Sequence, residues 1–205
     1  MTLRIAAVLA LLLGVGGLLG YLRIVGKGPF ASLEERHRRD MKDRSLAPAS
    51  LTPFTFADFR RLPHGLTVAE YSGLERRGVS LEGYAQFMLT ASDGDYHLEI
   101  ADAPPGSPGY DPDYVSGEIT PAWSRSPSRW RFEALIAALR PDRGGTTRWD
   151  GGPRRARFSG WLLYDAPYDL PISPRHRRLT GWEIHPITRI EVWNDQLARF
   201  VELAR

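Results

Sequence analysis

Apolar and polar residues alternate on both sides of a turn in the segment 79–103, which is the clearest pattern in the chain. The residues Ser92-Asp93-Gly94-Asp95 separate two strand-like runs, and Asp-Gly is a strong signal for a tight hairpin turn. Alternate residues of a strand lie on the same face, so one face of this hairpin is apolar and the other is polar. The segment therefore predicts a β-hairpin with one buried face and a polar face that carries Asp95, His97 and Glu99.

Helix signals flank the hairpin, and more strand patterns follow it. A Thr-x-x-Glu capping box at Thr67 predicts a helix over 68–77, since Gly78 is a typical helix stop. The polar segment Ser32–Arg44 predicts a short solvated helix. The elements predicted after the hairpin are a short strand at Tyr114–Thr120, a helix from Ser126 to Leu139, strands at Arg154–Asp165 and Leu179–Trp193, and a terminal helix at Asn194–Arg205.

The order of these elements predicts a mainly β fold with short helices. Five strands with a helix between the third and the fourth is the arrangement of the OB-fold, a five-stranded Greek-key β-barrel. Gly83 and Gly160 fall inside strand patterns, where such a barrel needs bends and close contacts. An open α+β sandwich is the alternative.

The amino-terminal residues predict a membrane anchor. Ile5–Leu22 is an uncharged run between Arg4 and Arg23, and its length is about the shortest that spans a bilayer. A cleaved signal peptide is the alternative, although Gly20-Tyr21-Leu22-Arg23 is a poor cleavage context. We therefore expect a transmembrane anchor or uncleaved signal at 1–25, a polar linker at 26–53 and a folded domain at 54–205, in a single-pass protein of the inner membrane.

Two signals disagree about the side of the membrane on which the domain lies. Basic residues are more numerous after the apolar run than before it, and the positive-inside rule would then keep the domain in the cytoplasm. A short tail with one arginine before an apolar run is also typical of an export signal. The charge pattern alone leaves both orientations open.

Composition indicates a globular protein and excludes the kinds of site that need cysteine. The chain has 25% charged and 42% hydrophobic residues, as globular proteins have. All but two of its 27 basic residues are arginines, and acids nearly balance them to a net charge of +3. This balance is typical of a salt-bridged surface, so charge alone does not predict a nucleic-acid partner. The chain contains no cysteine, which excludes disulfides, thiolate metal sites and cysteine nucleophiles.

Four motifs resemble those of a family of uncharacterised bacterial exported or membrane-anchored proteins. They are Asp93-Gly94-Asp95-Tyr96-His97-Leu98, Glu118, Gly160 with Asp165, and Glu183-Ile184-His185-Pro186. The family carries a D-G-D-x-H-L hairpin and a late E-x-H-P strand around an OB-like core. This chain departs from the pattern at Glu118, where Ile119 and Thr120 stand before Pro121 instead of a single residue. The resemblance implies no activity, but it implies export and so favours the periplasmic side.

The polar faces of three strands provide candidate metal ligands. In an OB-fold the third strand lies between the second and the fifth, so residues of these strands can share one face. Two imidazoles and several carboxylates suit zinc or a similar divalent ion. A metal-dependent hydrolase of the phosphodiesterase or nuclease type would use a metal-bound water as nucleophile. Structural pairing of these side chains is the alternative. The candidate ligands are Asp95, His97, Glu118, Glu183 and His185.

A binding module without catalysis is the function that the sequence favours. OB barrels bind oligonucleotides or oligosaccharides through stacking aromatic residues and basic groups. On the periplasmic side the partner would be an envelope protein or a glycan, whereas nucleic acid is expected only if the domain faces the cytoplasm. The candidate ligand-binding residues are Tyr84, Trp161, Trp182, Arg157 and Arg177.

Overall fold

The computed structural model describes residues 15–19, 28, 31–111, 113–124, 130–142, 152–169 and 177–203. The chain divides into two units, Met1–Arg39 and Asp40–Arg205. The predicted span at Ile5–Leu22 lies outside the described residues except for 15–19, which are helical. Within the described ranges, no helix combines the length and the apolar character needed to cross a bilayer.

Short helices and longer strands make up the described chain, and single turns of 3-10 helix lie at Leu74–Arg76 and Ala166–Tyr168. The helices are α1 (Leu33–Lys42), α2 (Phe56–Arg60), α3 (Val68–Tyr71), α4 (Pro121–Ser124) and α5 (Phe132–Leu139). The strands are β1 (Thr52–Phe54), β2 (Gly78–Thr90), β3 (Tyr96–Ala101), β4 (Tyr114–Ile119), β5 (Arg155–Tyr164), β6 (Arg178–Asn194) and β7 (Arg199–Glu202).

Five strands close into a ring in the order β2-β3-β4-β6-β5, because β5 pairs again with β2. The β4–β6 pair is parallel, and the other four pairs of the ring are antiparallel. The predicted mainly β class is confirmed. The strands predicted as second, third and fifth are β3, β4 and β6, and they lie side by side as predicted. β1 adds to the ring beside β2, and β7 adds beside β6.

The central hairpin forms at the predicted position, but a bulge between Ala85 and Phe87 shifts the predicted alternation, so Met88 is buried in place of Phe87 and Leu89. The backbone N–H of Ala91 donates to the carbonyl of Asp95 at 2.8 Å, and Gly94 adopts a positive φ of 94° in the turn between them. Met88, Leu98 and Ile100 have no exposed surface, so the apolar face of the hairpin lies in the core. Burying each such side chain stabilises the fold by roughly 1.5–3 kcal/mol.

The terminal helix predicted at Asn194–Arg205 is wrong. β6 runs through Asn194, the side chain of Asn194 accepts a hydrogen bond from the backbone N–H of Leu197, and β7 returns antiparallel to β6. The rings of Trp193 and Phe200 pack edge to face at 5.1 Å across this hairpin. The same apolar residues fit a helix stripe and a strand pair, and the pairing with β6 decides between them.

One helix and one short strand before the hairpin also differ from the prediction. The helix expected over 68–77 ends at Tyr71, and a separate 3-10 turn follows Ser72 and Gly73. Its capping box is present, since the side chains of Thr67 and Glu70 each accept a hydrogen bond from the other residue's backbone. The first strand, β1, was not predicted, because three residues are too few to show alternation.

The second half of the predicted linker packs against the folded unit. The indole N–H of Trp123 donates to the Arg44 carbonyl at 2.9 Å, and that of Trp161 donates to the Leu46 carbonyl at 2.7 Å. Arg44 in turn donates to the carbonyl of Glu75 at 2.9 Å. The folded unit therefore begins before the predicted boundary at residue 54, and it includes Lys42.

Candidate metal centre

Strand pairing brings the predicted ligands together. His97 lies directly opposite Glu118 in the β3–β4 pair, and Ser116 of β4 lies opposite Glu183 in the β4–β6 pair. His185, two residues after Glu183, lies on the same face of β6, because alternate residues of a strand share a face. The hairpin turn adds Asp95 at the start of β3.

His185 is the centre of this cluster, and its side chain has no exposed surface. Its Nδ1 lies 2.9 Å from Oε1 of Glu183 and 3.0 Å from Oε2 of Glu118. Its Nε2 lies 3.5 Å from Oδ2 of Asp95 but makes no hydrogen bond. One imidazole thus contacts three carboxylates from three parts of the chain.

His97 occupies the more exposed side of the cluster. Its Nδ1 lies 3.2 Å from Oε1 of Glu118 and 3.5 Å from Oγ of Ser116. The side chains of His97 and Glu118 are 21% and 14% exposed, whereas Glu183 is fully buried. All five candidate ligands predicted from the sequence therefore belong to one connected group.

Three further charged residues join the cluster, and among them only Asp165 belongs to one of the sequence motifs. Lys42 Nζ lies 3.4 Å from Oε2 of Glu118. The buried guanidinium of Arg178 donates to Glu183 at 2.7 Å and lies 3.6 Å from Asp165. Lys42 comes from a helix with a polar composition and Arg178 from a run of basic residues, both of which are typical of solvated surfaces. The one available signal was that Arg178 precedes Glu183 at the start of the same strand.

Burial and the close contacts shift the pKa values of these groups in opposite directions. Burial raises the pKa of Asp95 to about 6, although the charge of His185 acts against this. Burial alone would lower the pKa of His185, but hydrogen bonds with Glu118 and Glu183 raise it to about 9. Metal-free protein at neutral pH therefore holds an imidazolium among carboxylates.

The pKa values of Glu118 and Glu183 lie below their usual range. Burial alone would raise that of Glu118, but hydrogen bonds with His185 and His97 reverse the effect. For Glu183, burial and the neighbouring Glu118 act upward, and the charge of Arg178 and the bond to His185 outweigh them. Both groups are therefore carboxylates over the whole neutral range.

The residues Asp95, Glu118 and His185 lie close enough together that they could hold a metal ion. Each offers one ligand atom, and these atoms lie within 4.8 Å of one another. Nitrogen and carboxylate oxygen ligands suit zinc and neighbouring divalent transition metals. The cluster can thus hold a cation in place of its internal ion pairs.

The residues predicted to bind a ligand by stacking do not form one surface. Trp182 has no exposed surface, and its indole N–H donates to the carbonyl of Pro63 at 2.8 Å in the core. The ring of Trp161 is covered by Arg44, whose guanidinium carbon lies 4.9 Å from the ring centroid. Tyr84 is half-buried on β2. Aromatic residues are frequent in strands because they pack well there, and Trp182 packs in the core.

The two predicted basic residues are both paired with acids. Arg177 is exposed and contacts Asp113 at 3.1 Å. Arg157 on β5 donates to Glu82 at 2.7 Å and lies 3.5 Å from Glu191. Neither residue presents the uncompensated positive charge that a phosphate backbone attracts.

No protein-family model matches the chain, and no curated protein matches it significantly.

Proposed function

We propose that the protein is a membrane-anchored binding module in which Asp95, Glu118 and His185 hold a divalent cation, with zinc as the first candidate. One observation carries the proposal: Nε2 of His185 is fully buried, makes no hydrogen bond, and faces a carboxylate at 3.5 Å. Buried polar atoms nearly always have a partner, so an unpartnered nitrogen beside a carboxylate needs an explanation. A metal ion between the two groups supplies one.

The distance between these atoms suits a shared metal. Zinc lies about 2.0–2.2 Å from nitrogen and oxygen ligands, so two ligands of a tetrahedral site are about 3.4 Å apart. The separation of 3.5 Å between Nε2 of His185 and Oδ2 of Asp95 agrees with this value. A carboxylate oxygen of Glu118 lies within 4.8 Å of the ligand atoms of Asp95 and His185, so Glu118, which contacts Nδ1 of His185 in this structure, would turn toward the ion as the third protein ligand.

The other nitrogen of His185 has the partners that metal-binding histidines usually have. Its Nδ1 is held by Glu183, and Glu183 is held by Arg178. Such a carboxylate fixes the proton on Nδ1, directs the lone pair of Nε2 at the metal and raises its basicity. We therefore assign Glu183 to orienting His185 and not to binding the metal.

The charge of the cluster also favours a dication. Four carboxylates, those of Asp95, Glu118, Asp165 and Glu183, face two permanent cations, Lys42 and Arg178. Two negative charges remain, and a proton on His185 compensates only one of them. A divalent cation would compensate both, since buried charges are stable only when they are paired.

Binding is better supported than hydrolysis. A catalytic metal keeps an open position for water and substrate. Here the proposed ligands His185, Asp95 and Glu118 are 0%, 6% and 14% exposed, so a substrate would have little access to the fourth position of the ion. An enclosed ion stabilises the ring that surrounds it, because a site formed only in the folded state adds its binding energy to the stability.

The proposal also includes a fold, an OB-type barrel, and a location at the inner membrane. The ring order, the parallel pair β4–β6 and the helices between β4 and β5 in the chain support an OB-type barrel. The uncharged run Ile5–Leu22 supports a single-pass anchor in the inner membrane, with the module on the periplasmic side. An envelope protein or glycan is then the expected partner.

Metal content and metal-dependent stability test the site. The full-length chain, purified in detergent without chelator, is expected to contain one zinc per chain by mass spectrometry. EDTA is expected to lower its melting temperature, because a ligand at 100 times its dissociation constant stabilises the folded state by about 2.7 kcal/mol. Asp95→Asn is expected to abolish both the bound zinc and the EDTA effect.

The matched control is His64→Gln. His64 also contacts a carboxylate, with its Nδ1 at 2.6 Å from Asp169, but it lies outside the proposed ligand set. It is expected to keep the zinc and the EDTA effect of the natural chain. Absence of metal and of any EDTA effect, even after zinc or manganese is added, would contradict the proposal.

A further inference from the structure

A second candidate site lies on a different set of strands. It is a cleft of about 760 Å³, and its walls come from β1, the start of α2, β2, β5 and β6. Pockets that enclose small molecules typically measure about 300–1,000 Å³. None of its lining residues belongs to the metal cluster, so the two sites can be tested separately.

The floor of the cleft is a grid of polar side chains fixed by strand pairing. Alternate residues of β2, β5 and β6 face it, while the intervening Leu81, Phe158 and Ile190 have no exposed surface and lie in the core. The strand register aligns the polar residues in two rows across the three strands. The rows are Ser80–Ser159–Arg189 and Glu82–Arg157–Glu191.

The charges of this floor compensate one another. Arg157 donates to Glu82 and lies beside Glu191, and Arg189 donates to Glu191 at 3.0 Å. With Asp102 also lining the cleft, carboxylates outnumber guanidinium groups by three to two. An anionic ligand would therefore meet no net positive charge. A ligand that both donates and accepts hydrogen bonds fits instead, since guanidinium and carboxylate groups can each make several.

The hydroxyl of Ser159, a buried group of the floor, lacks a hydrogen-bond partner. Ser159 has no exposed surface, and its Oγ makes no hydrogen bond. An unpaired buried hydroxyl costs about 1–3 kcal/mol, so its retention on the floor of a cleft points to a ligand group that pairs with it.

The side of the cleft next to the polar floor is mostly apolar. Pro53 of β1 lies in register with Ser80, and Leu51, Phe54 and Phe56 line the cleft beside it. A pyranose ring has the same two characters, with C–H groups on its faces and hydroxyls around its edge. The cleft therefore matches an uncharged sugar better than a wholly apolar or a phosphorylated ligand.

We propose that this cleft binds a neutral saccharide unit. The ring face of the sugar packs against Pro53 and Phe56, its hydroxyls bond to Glu82 and Arg157, and one of them reaches the buried Ser159 by displacing the side chains that cover it. The ligand class follows from the compensated charges, the unpaired hydroxyl and the apolar wall. It does not depend on the metal site.

Calorimetric titration with three neutral tetrasaccharides tests the proposal. The probes are the β-linked tetramers of N-acetylglucosamine and of glucose, and the α-linked tetramer of glucose. The full-length chain is held in a nanodisc, because sugar-based detergents would compete. At least one probe is expected to show saturable binding, and Arg157→Gln is expected to weaken it about tenfold or more, the loss that corresponds to one hydrogen bond to a charged group.

Ser159→Ala and Arg177→Gln complete the experiment. Ser159→Ala removes only the unpaired hydroxyl, so the variant folds, and its affinity is expected to fall as well. Arg177→Gln changes an exposed, acid-paired arginine outside the cleft and is expected to bind as the natural chain does. Failure of all three probes to bind, binding unchanged by Arg157→Gln and Ser159→Ala, or tighter binding of inorganic phosphate would each overturn the proposal.

Discussion

His185 is the residue on which the proposed metal site depends. It sits at the junction of three carboxylates, two of which hold its Nδ1 while the third faces its Nε2. In metal-free protein a proton on the ring compensates part of their charge. The metal and this proton therefore compete for the same position, and the stability of the metal-free protein depends on pH.

Metal-free protein is expected to lose stability between about pH 6.5 and pH 9. The pKa of His185 is about 9 in the folded protein and near 6.5 when unfolded, so the folded state binds the proton more tightly. This contribution is fully present below pH 6.5 and disappears as the pH rises through 9. Urea unfolding in EDTA at half-unit pH steps measures it.

The control for the pH experiment is His185→Gln. The variant is expected to be less stable at pH 6.5, since Glu118 and Glu183 lose the imidazolium that contacts both of them, but its stability should hardly change up to pH 9. Equal slopes for the natural chain and the variant would show that His185 does not carry the proton.

Lys42 is the cation that competes with the proposed metal for Glu118. Its Nζ lies 3.4 Å from Oε2 of this ligand, and the surrounding carboxylates raise the pKa of Lys42 above its usual value despite burial. Lys42→Met is expected to tighten zinc binding about tenfold or more, because it removes a positive charge beside the ion. Competition titration with a fluorescent zinc chelator measures the change. Arg60→Met, which removes an exposed cation paired with Asp111, is the control and should have no effect.

Sequence patterns identified the chemistry of the cluster at the residue scale but not its counter-ions. Asp95 and His97 share one parity, as do Glu183 and His185, and the OB order places the strand of Glu118 between theirs, so their meeting was predictable. Lys42 is 76 positions from Glu118 and lies on no predicted strand. Periodicity carries no information about such a contact, which depends on how the segment after α1 packs.

At the scale of elements, the close approach of β5 and β6 positions His185. The pairing of these strands is irregular on both sides of Gly160. A Cβ atom at Gly160 would lie 2.1 Å from the carbonyl oxygen of Pro186 and 2.9 Å from Cα of Ile187. Both are backbone atoms, so neither can move aside without shifting the strand that carries His185.

Gly160→Ala is therefore expected to destabilise the protein by about 1–3 kcal/mol, the usual cost of overpacking a tight contact. It is also expected to weaken zinc binding, because relief of the clash displaces Pro186 and the adjacent His185. Urea unfolding and zinc titration measure the two effects. Gly73→Ala is the matched control, since a Cβ there meets no atom within 4 Å. Equal stability of the two variants would contradict this role for Gly160.

The elements that the sequence predicted well are those with long alternation. The hairpin, β4, β5 and β6 lie where the alternating segments predict strands, although a bulge in β2 and register shifts between β5 and β6 interrupt the period of two. The elements that it missed are short or ambiguous. β1 has three residues, and β7 shares its apolar residues with a possible helix, so tertiary pairing alone decides their structure.

At the scale of the whole molecule, two candidate sites use different parts of one ring. The metal cluster draws on the turn before β3 and on β3, β4 and β6, whereas the cleft draws on β1, β2, β5 and β6. Only β6 contributes to both. An enclosed ion that holds β6 against β4 would then keep the floor of the cleft in register without taking part in its binding.

The most direct test of the metal site is anomalous diffraction at the zinc absorption edge from crystals of the zinc-loaded full-length chain. One strong peak is expected, about 2.0 Å from Nε2 of His185 and about 2.1 Å from a carboxylate oxygen of Asp95, with Glu118 as the third ligand. The same peak should be absent from Asp95→Asn crystals. A density map with no peak between these residues, or with zinc bound only at another histidine such as His64, would contradict the proposed metal site.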